Sequence, residues 1–491
     1  MKTINDLYER KSERPIKVVQ FGEGNFLRAF VDYAIDMANE AGKFGGDIAI
    51  VKPIEYGNLD RFKAQDNLYT VNLRGKESGE VINSKRVVTS VQKAVDPFLD
   101  YEGYMALAEL DSLEFVVSNT TEAGIVFDPT DTFDGTNGLP KTYPGKLTKF
   151  LFARYNKFSG AHDKGLIMLP VELIENNGGK LKEAVLSLID LWKLPEGFKK
   201  WVTDDCVFTA TLVDRIVTGW PREEAPAIME ELGYQDILLD VGEPFALWVI
   251  ESDKDISARL PIANDKFKVV FTDNQKPYRE RKVRVLNGAH TSTVLFSYLA
   301  GLDIVRECME DADVRPFMEK LLYDEIVPQV KLPRDDVMAF AAAVFERFEN
   351  PFIRHALLSI SLNSVSKWKA RVLPSFIDCV NNNGKLPKCI TFSFAGLLAF
   401  YTASEKGDSC LISHRPNGDE YHIMDDAAVL DFFAENSSKP TAEYVRLAAS
   451  NEKFWGTDLT KYDGFVETVS RELDDIRKNG AREALRHMMA E

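Results

Sequence analysis

Cysteine is scarce, and its spacing carries no pattern. Cys206, Cys308, Cys379, Cys389 and Cys410 are odd in number and widely spread, with no CxxC pair. A disulfide framework is therefore not expected, and a reducing cytoplasm is. Histidine is scarce too, with six in 491 residues: His162, His290, His355, His414, His422 and His487 show neither HxxxH nor HExxH spacing. No metal site is expected from ligands so placed. Long apolar runs are absent too. The longest, residues 390–401, falls short of the roughly 20 residues that span a bilayer, and reads as a buried helix. Residues 1–15 are charged throughout and hold no apolar core of a signal peptide. Basic charge is in deficit, with 60 Lys and Arg against 76 Asp and Glu and a net charge of −16. Nucleic acid and anionic membrane both reward positive charge, so neither is expected as a partner.

What is present is an ordinary globular composition, 45% apolar and 28% charged, long enough for two or more domains. The first half alternates short apolar runs with helical patterns. Runs at 16–21, 47–51, 113–118 and 165–170 read as buried strands, and 26–41, 101–110 and 147–155 as helices. Continuous apolar strands separated by helices mark a parallel α/β sheet. Two later runs, 245–250 and 267–271, are expected to extend it. From residue 282 helical periodicity dominates, notably at 314–325, 335–348, 395–403 and 466–478. The expectation is an α/β chain: an N-terminal Rossmann-type doubly wound sheet over 1–275, then a mainly α-helical domain over 276–491.

Two motifs carry chemistry. Gly22-Glu23-Gly24-Asn25-Phe26-Leu27-Arg28 follows the first strand and opens the first helix. Paired glycines allow a tight turn and let backbone N–H groups approach a pyrophosphate at the helix N-terminus. Leu27 stands where a third glycine is usual, so the motif alone fits either a dinucleotide cradle or a plain tight turn. The second strand ends Val51-Lys52-Pro53, with Glu55 the nearest acid. This leaves NAD against NADP open by pattern, and Lys52 reads as a solvated strand end or a phosphate ligand.

The second motif is Lys282-Val283-Arg284-Val285-Leu286-Asn287-Gly288-Ala289-His290. On a regular helix Asn287 lies about 140° and His290 about 80° from Lys282, so the three polar groups crowd one broad face. Such a set suits alcohol–ketone interconversion. A lysine whose pKa falls toward neutrality, here beside Arg279, Arg281 and Arg284, can act as acid/base. An asparagine can donate to a developing alkoxide, and a histidine can position a hydroxyl. A snorkelling lysine, a turn asparagine and a core histidine would fit the same spacing. The segment is locally basic, with Lys276, Arg279, Arg281, Lys282 and Arg284 against Glu280 alone, so an anionic small molecule is compatible with the acidic total.

The glycine motif with Gln20-Phe21 before it, together with the K-x4-N-x2-H set, resembles the polyol-specific long-chain dehydrogenases, the mannitol dehydrogenase family. The stretches Ser118-Asn119-Thr120-Thr121-Glu122-Ala123-Gly124, Glu172-Leu173-Ile174, Thr211-Leu212-Val213-Asp214-Arg215-Ile216-Val217-Thr218-Gly219 and Lys276-Pro277-Tyr278 resemble, more narrowly, its hexuronate-reducing branch. The similarity runs over essentially the whole chain. It implies an NAD-linked enzyme without a metal that reversibly reduces D-tagaturonate to D-altronate, a small sugar acid. It implies Lys282, Asn287 and His290 as catalytic residues. Phe21, Gly22, Gly24, Asn25, Phe26, Asn119, Thr120 and Glu122 would meet the cofactor, and Lys367, Arg284 and Glu172 the substrate. Two departures separate the chain from mannitol dehydrogenases. Leu173 replaces an oxyanion asparagine, and Lys367 replaces an arginine that meets the polyol chain. Fructuronate or a mannitol-type polyol is the alternative substrate. A catalytically silent dinucleotide-binding protein is the alternative of a different class.

Overall fold

The computed structural model describes residues 1–9, 14–121, 123–403 and 405–491. They form two compact units, Met1–Gln275 and Lys276–Glu491.

The first unit is built on a six-stranded sheet of β1 (Ile16–Phe21), β2 (Asp47–Val51), β3 (Val91–Val95), β4 (Phe115–Ser118), β5 (Ile167–Pro170) and β6 (Val207–Phe208). The spatial order is β3-β2-β1-β4-β5-β6, and every pairing is parallel. Period-two alternation puts apolar side chains of the central strands on both faces of the sheet. Val18, Ile48, Ile50, Val117 and Leu169 enter one core, while Val19, Phe21, Ala49, Val51 and Met168 enter the other. Each such side chain, fully buried, contributes about 1.5–3 kcal/mol. The first core takes the helical segment 25–40, and the second takes helices Tyr101–Ala108, Tyr143–Lys157 and Asn177–Leu191. The sheet is thus wound on both faces.

Strand order reverses between β1 and β4, and that is where an open α/β sheet leaves a crevice at its carboxyl ends. Phe21 pairs with Ser118, so the turns that follow, at Gly22 and at Asn119, emerge side by side.

One expectation fails here. Leu247–Glu251 and Lys268–Thr272 do not extend the parallel sheet. They form a separate three-stranded sheet with Ala210–Asp214. After β6 the chain leaves the main sheet, and Asn177 holds its backbone there. The Asn177 amide donates to the carbonyls of Pro170, Glu172 and Thr211, while its oxygen accepts from the N–H of Thr211 and Gly178. With the Thr211 hydroxyl also on the Pro170 carbonyl, the backbone at Thr211 is held by side chains.

The second unit is mainly helical. Gly288–Leu299 and Lys388–Phe400 are buried almost all round and cross closely at Gly396, where an added Cβ would stand 3.0 Å from the Phe296 Cβ. Buried Glu325 caps the second of these helices, taking the N–H groups of Cys389 and Ile390 at 2.8 and 2.9 Å. A small antiparallel sheet of Glu405–Lys406, Leu411–His414 and Glu420–Ile423 interrupts the helical pattern. No helix among the described residues is long and apolar enough to cross a membrane.

Candidate active site

In the first unit the glycine turn and the Asn119 turn meet at the carboxyl ends of β1 and β4. Gly22 sits at φ +134°, and an added Cβ would lie 2.8 Å from Leu27 Cδ1 and 3.4 Å from the Asn119 carbonyl oxygen. Leu27, in the third glycine's usual place, therefore packs down onto Gly22. Gly24 precedes the helix in extended geometry, and a Cβ there would meet no heavy atom within 4 Å among the described residues. This is open space beside the free N–H groups of a helix start, the arrangement that receives a pyrophosphate. Asn25 is exposed and accepts a hydrogen bond from Arg28. Phe26 stacks on Phe30 with ring centroids 4.9 Å apart. The Phe21 side chain is fully buried against Tyr104, Tyr143 and Phe150, so only its backbone is available to a ligand.

Beneath the turn lies a buried polar group. Arg28 donates to the Leu238 carbonyl and stands 3.9 Å from Asp240, and Asp32 accepts from the Tyr69 hydroxyl at 2.6 Å. Burial pushes the carboxyls of Asp32 and Asp240 up to about 7, against the pull of Tyr69 and Arg28. The helix widens over Arg28–Asp32 into a π-turn. The Ala29 carbonyl in it accepts from buried Arg215 at 2.6 Å, and Arg215 also holds the Pro244 and Phe245 carbonyls. Arg215 is thereby a structural clasp.

Glu172 was expected at the substrate, but its carboxylate holds the Asn119 turn instead. Oε1 accepts from the Thr120 N–H and hydroxyl, both at 2.9 Å, and Oε2 accepts from the Ser118 hydroxyl at 3.1 Å. Burial raises its pKa while those donors lower it. The reason is positional: Glu172 follows β5, the strand beside β4, and folds back onto the neighbouring turn. Lys52 also differs from expectation. It is 2% exposed, pairs with Asp96, and donates to the carbonyls of Glu55 and Gly57 at 3.1 and 2.9 Å. It is a buried brace rather than a solvated end. Glu122 lies outside the described residues.

In the second unit the lysine motif departs from a regular helix. Lys282–Asn287 is a π-turn, with the Gly288 N–H reaching back to the Val283 carbonyl. Five-residue bonding sets residues five apart one above the other. Lys282 and Asn287 therefore share a face, rather than lying 140° apart. Gly288 allows a close approach of backbone: an added Cβ would be 3.1 Å from the Arg371 carbonyl oxygen. His290 follows on the next helix, stacked on Phe348 at 4.1 Å and edge-on to His355 at 5.3 Å. Its Nε2 is buried and has no hydrogen-bond partner among the described residues. Burial, reinforced by His355, Arg347, Arg371 and Lys367, holds its pKa well below the usual range, so the ring is neutral. Lys367 donates to the Ile360 carbonyl at 2.9 Å, and burial lowers its pKa. Arg284, expected at the substrate, is paired with Asp378 and reaches the Gln329 carbonyl. An acid from a helix packed alongside already meets its charge.

Residues 16–264 match the Mannitol dehydrogenase Rossmann domain, and 274–477 match the Mannitol dehydrogenase C-terminal domain. The chain belongs to the mannitol dehydrogenase family. Relatives include the altronate oxidoreductases of Escherichia coli O7:K1 and Shigella flexneri, each 42% identical over 493 residues and covering 99% of both chains. Among solved structures, Pseudomonas fluorescens mannitol 2-dehydrogenase, a ternary complex with NAD and D-mannitol, shares the fold at 22% identity and TM-score 0.66, over 100% of this chain and 97% of that one. A substrate-free D-sorbitol dehydrogenase shares it at 20% identity and TM-score 0.79, over 99% and 100%.

The residues present in this member of the mannitol dehydrogenase family fit a dinucleotide. Beyond the open space at Gly24, a cavity of about 910 Å³ lies past the carboxyl ends of β2 and β3, lined by Ile54, Tyr56, Phe98 and Tyr101 among others. Its lining mixes these apolar and aromatic side chains with polar ones such as Glu55, Asn137 and Lys141, a combination that suits an adenosine. Reading the sequence missed Lys146 on its wall: fully buried, its ammonium donates to the Lys141 carbonyl at 2.7 Å, and burial lowers its pKa to about 8. Arg371 follows Lys367 by one turn on the helix Ser364–Arg371. No group of three or more metal-ligating side chains gathers among the described residues.

Proposed function

We propose that the chain is an NAD-linked oxidoreductase that reversibly reduces D-tagaturonate to D-altronate, with residues 1–275 holding the dinucleotide and 276–491 supplying substrate binding and acid/base chemistry. The observation that carries this reading is the full-length 42% identity to altronate oxidoreductases. The geometry of each unit supports it.

When bound, the nicotinamide supplies or accepts the hydride. The chain supplies the rest. Lys282 gives its proton to the alkoxide oxygen formed at the former keto carbon, and in the oxidative direction takes the proton back. Asn287, above it on the π-turn, donates a hydrogen bond from its amide to the same oxygen and so stabilises charge that exists only near the transition state. His290, being neutral, is not the proton source. It offers one ring donor and one acceptor to neighbouring hydroxyls, which leaves the acid's role to Lys282. Phe21, Gly22, Gly24, Asn25 and Phe26 would hold the pyrophosphate through their backbone, and Asn119 and Thr120, on the turn that Glu172 braces, would hold the nicotinamide end. Lys367 meets the substrate end that carries charge.

The test is a panel of initial rates with tagaturonate, fructuronate and fructose, using NADH and NADPH in parallel. Tagaturonate with NADH should give the highest kcat/KM. A higher value with fructuronate or fructose overturns the substrate, and a higher value with NADPH overturns the cofactor. Lys282→Ala should keep NADH affinity near normal and lose most turnover, and retained turnover at neutral pH rules out its role.

A further inference from the structure

Arg347, Arg371 and Lys367 all act electrostatically on the buried His290 ring. Lys367 and Arg371 are i,i+4 neighbours on the helix Ser364–Arg371 and share one face. Arg371 lies directly against the helical segment that carries the acid/base residues. Its carbonyl oxygen faces Gly288, and its guanidinium donates to the Thr291 hydroxyl at 3.4 Å, one residue past His290. That long contact with a neutral hydroxyl is the one hydrogen bond its side chain makes among the described residues, and no carboxylate there pairs with it. Lys367 is held by a carbonyl, with Asp425 the one acid acting on it. Asp425 itself takes the Tyr401 hydroxyl and the N–H groups of Val365 and Asp426. The His290 ring stacks on Phe348, its buried Nε2 has no hydrogen-bond partner among the described residues, and both cations act on it.

Half-buried like charges that lack counterions are costly, and an arriving anion relieves the cost. The guanidinium fork matches a carboxylate through two parallel hydrogen bonds, which an ammonium cannot do. Arg284, one of the cations near in sequence to Lys282, already has Asp378.

We propose that Arg371, with Lys367 one turn before it, binds the carboxylate of the sugar-acid substrate and sets the preference for an anionic over a neutral keto sugar. The proposal rests on the function stated above and assigns the residue that distinguishes its substrate class. Lowered pKa values at Lys367 and Arg371, each caused first by burial and at Lys367 also by the neighbouring arginine, agree with a cationic site awaiting an anion.

The experiment compares wild type, Arg371→Gln and Arg371→Lys at saturating NADH, with tagaturonate and with fructose as the neutral ketohexose. For Arg371→Gln, KM for tagaturonate should rise at least tenfold, kcat should fall by a smaller factor, and the tagaturonate-to-fructose ratio of kcat/KM should drop at least tenfold. Arg371→Lys keeps the charge without the fork and should recover part of that loss. If Arg371→Gln does not fold, a severalfold rise in KM for Arg371→Lys serves as the readout. If fructose is not turned over, the split between KM and kcat decides. Equal losses on both substrates, a loss confined to kcat, or an unchanged KM would overturn the assignment. A wild-type enzyme inactive on every hexuronate refutes the proposed function and this site with it, whereas an active wild type with an unaltered glutamine variant refutes Arg371 alone.

Discussion

Alanine at Gly24 should cost the protein its dinucleotide and little else. Gly24 has φ −69° and ψ 163°, ordinary for any residue, and its Cβ would meet nothing within 4 Å among the described residues. At a helix N-cap, alanine is worse than glycine by about 1 kcal/mol. Restricting the unfolded chain returns about 0.4–1 kcal/mol. The two nearly cancel, so the melting temperature should move by no more than about 2–4 °C. The added methyl fills the space through which backbone N–H groups approach a pyrophosphate. Losing one or two hydrogen bonds to a charged group costs about 1.5–3 kcal/mol each, which raises the Kd for NADH at least tenfold. Gly22→Ala is the contrasting variant. Its φ of +134° and the 2.8 Å approach to Leu27 force strain into the fold, about 1–3 kcal/mol from the backbone alone, so it should lose stability as well as affinity. Thermal unfolding and NADH fluorescence titration on the same preparations separate the two. The reasoning is refuted if Gly24→Ala binds NADH as wild type does, or melts as low as Gly22→Ala.

Two further outcomes follow from buried carboxyls. Glu172→Ala removes three hydrogen bonds from the Ser118–Thr120 turn. It should lower stability by about 1–3 kcal/mol and weaken NADH binding, measured by the same titration. Asp32 and Asp240 have folded pKa values raised by burial to about 7, so between about pH 4 and 7 the folded state binds more protons than the unfolded one. Stability from these groups therefore falls as pH rises through that window. Asp32→Asn should flatten this fall, gaining up to about 3 kcal/mol at pH 8 relative to pH 5. Denaturant midpoints at the two pH values check it, and an unchanged slope counts against the assignment.

The fold was legible where burial is two-sided. Strands at 16–21, 47–51 and 113–118 carry apolar residues in succession, because neighbours such as Val18 and Val19 enter opposite cores. The run at 245–250 looks the same in sequence, since Val249 and Ile250 are fully buried as well. It pairs instead with Ala210–Asp214, whose backbone at Thr211 is held by Asn177, a side chain distant in sequence. The π-turn at Lys282–Asn287 was equally hidden. Hydrophobic spacing reports a mean helical period, and one widened turn leaves it nearly unchanged while moving Asn287 onto the face of Lys282. The C-terminal strands were missed because Leu411–His414 and Glu420–Ile423 bury only alternate residues of a short hairpin.

The charged residues show a more general rule. Lys52, Arg284 and Glu172 each had a residue type and position that suited a ligand, and the fold uses all three internally. Lys52 has Asp96, Arg284 has Asp378, and Glu172 has the donors of its neighbouring turn. A ligand at any of them would have to displace a partner already desolvated with the protein. Arg371 reads as unremarkable in sequence, yet it is brought against Gly288 and Thr291 with no carboxylate among the described residues to meet it. Residue type is visible in a sequence, but whether the fold supplies a partner is not, because the partners are 44 to 94 residues away for Lys52 and Arg284. The net charge of −16 conceals the same distinction. It sums over a solvated acidic surface, whereas anion recognition depends on the few half-buried cations whose charge the chain itself leaves unbalanced.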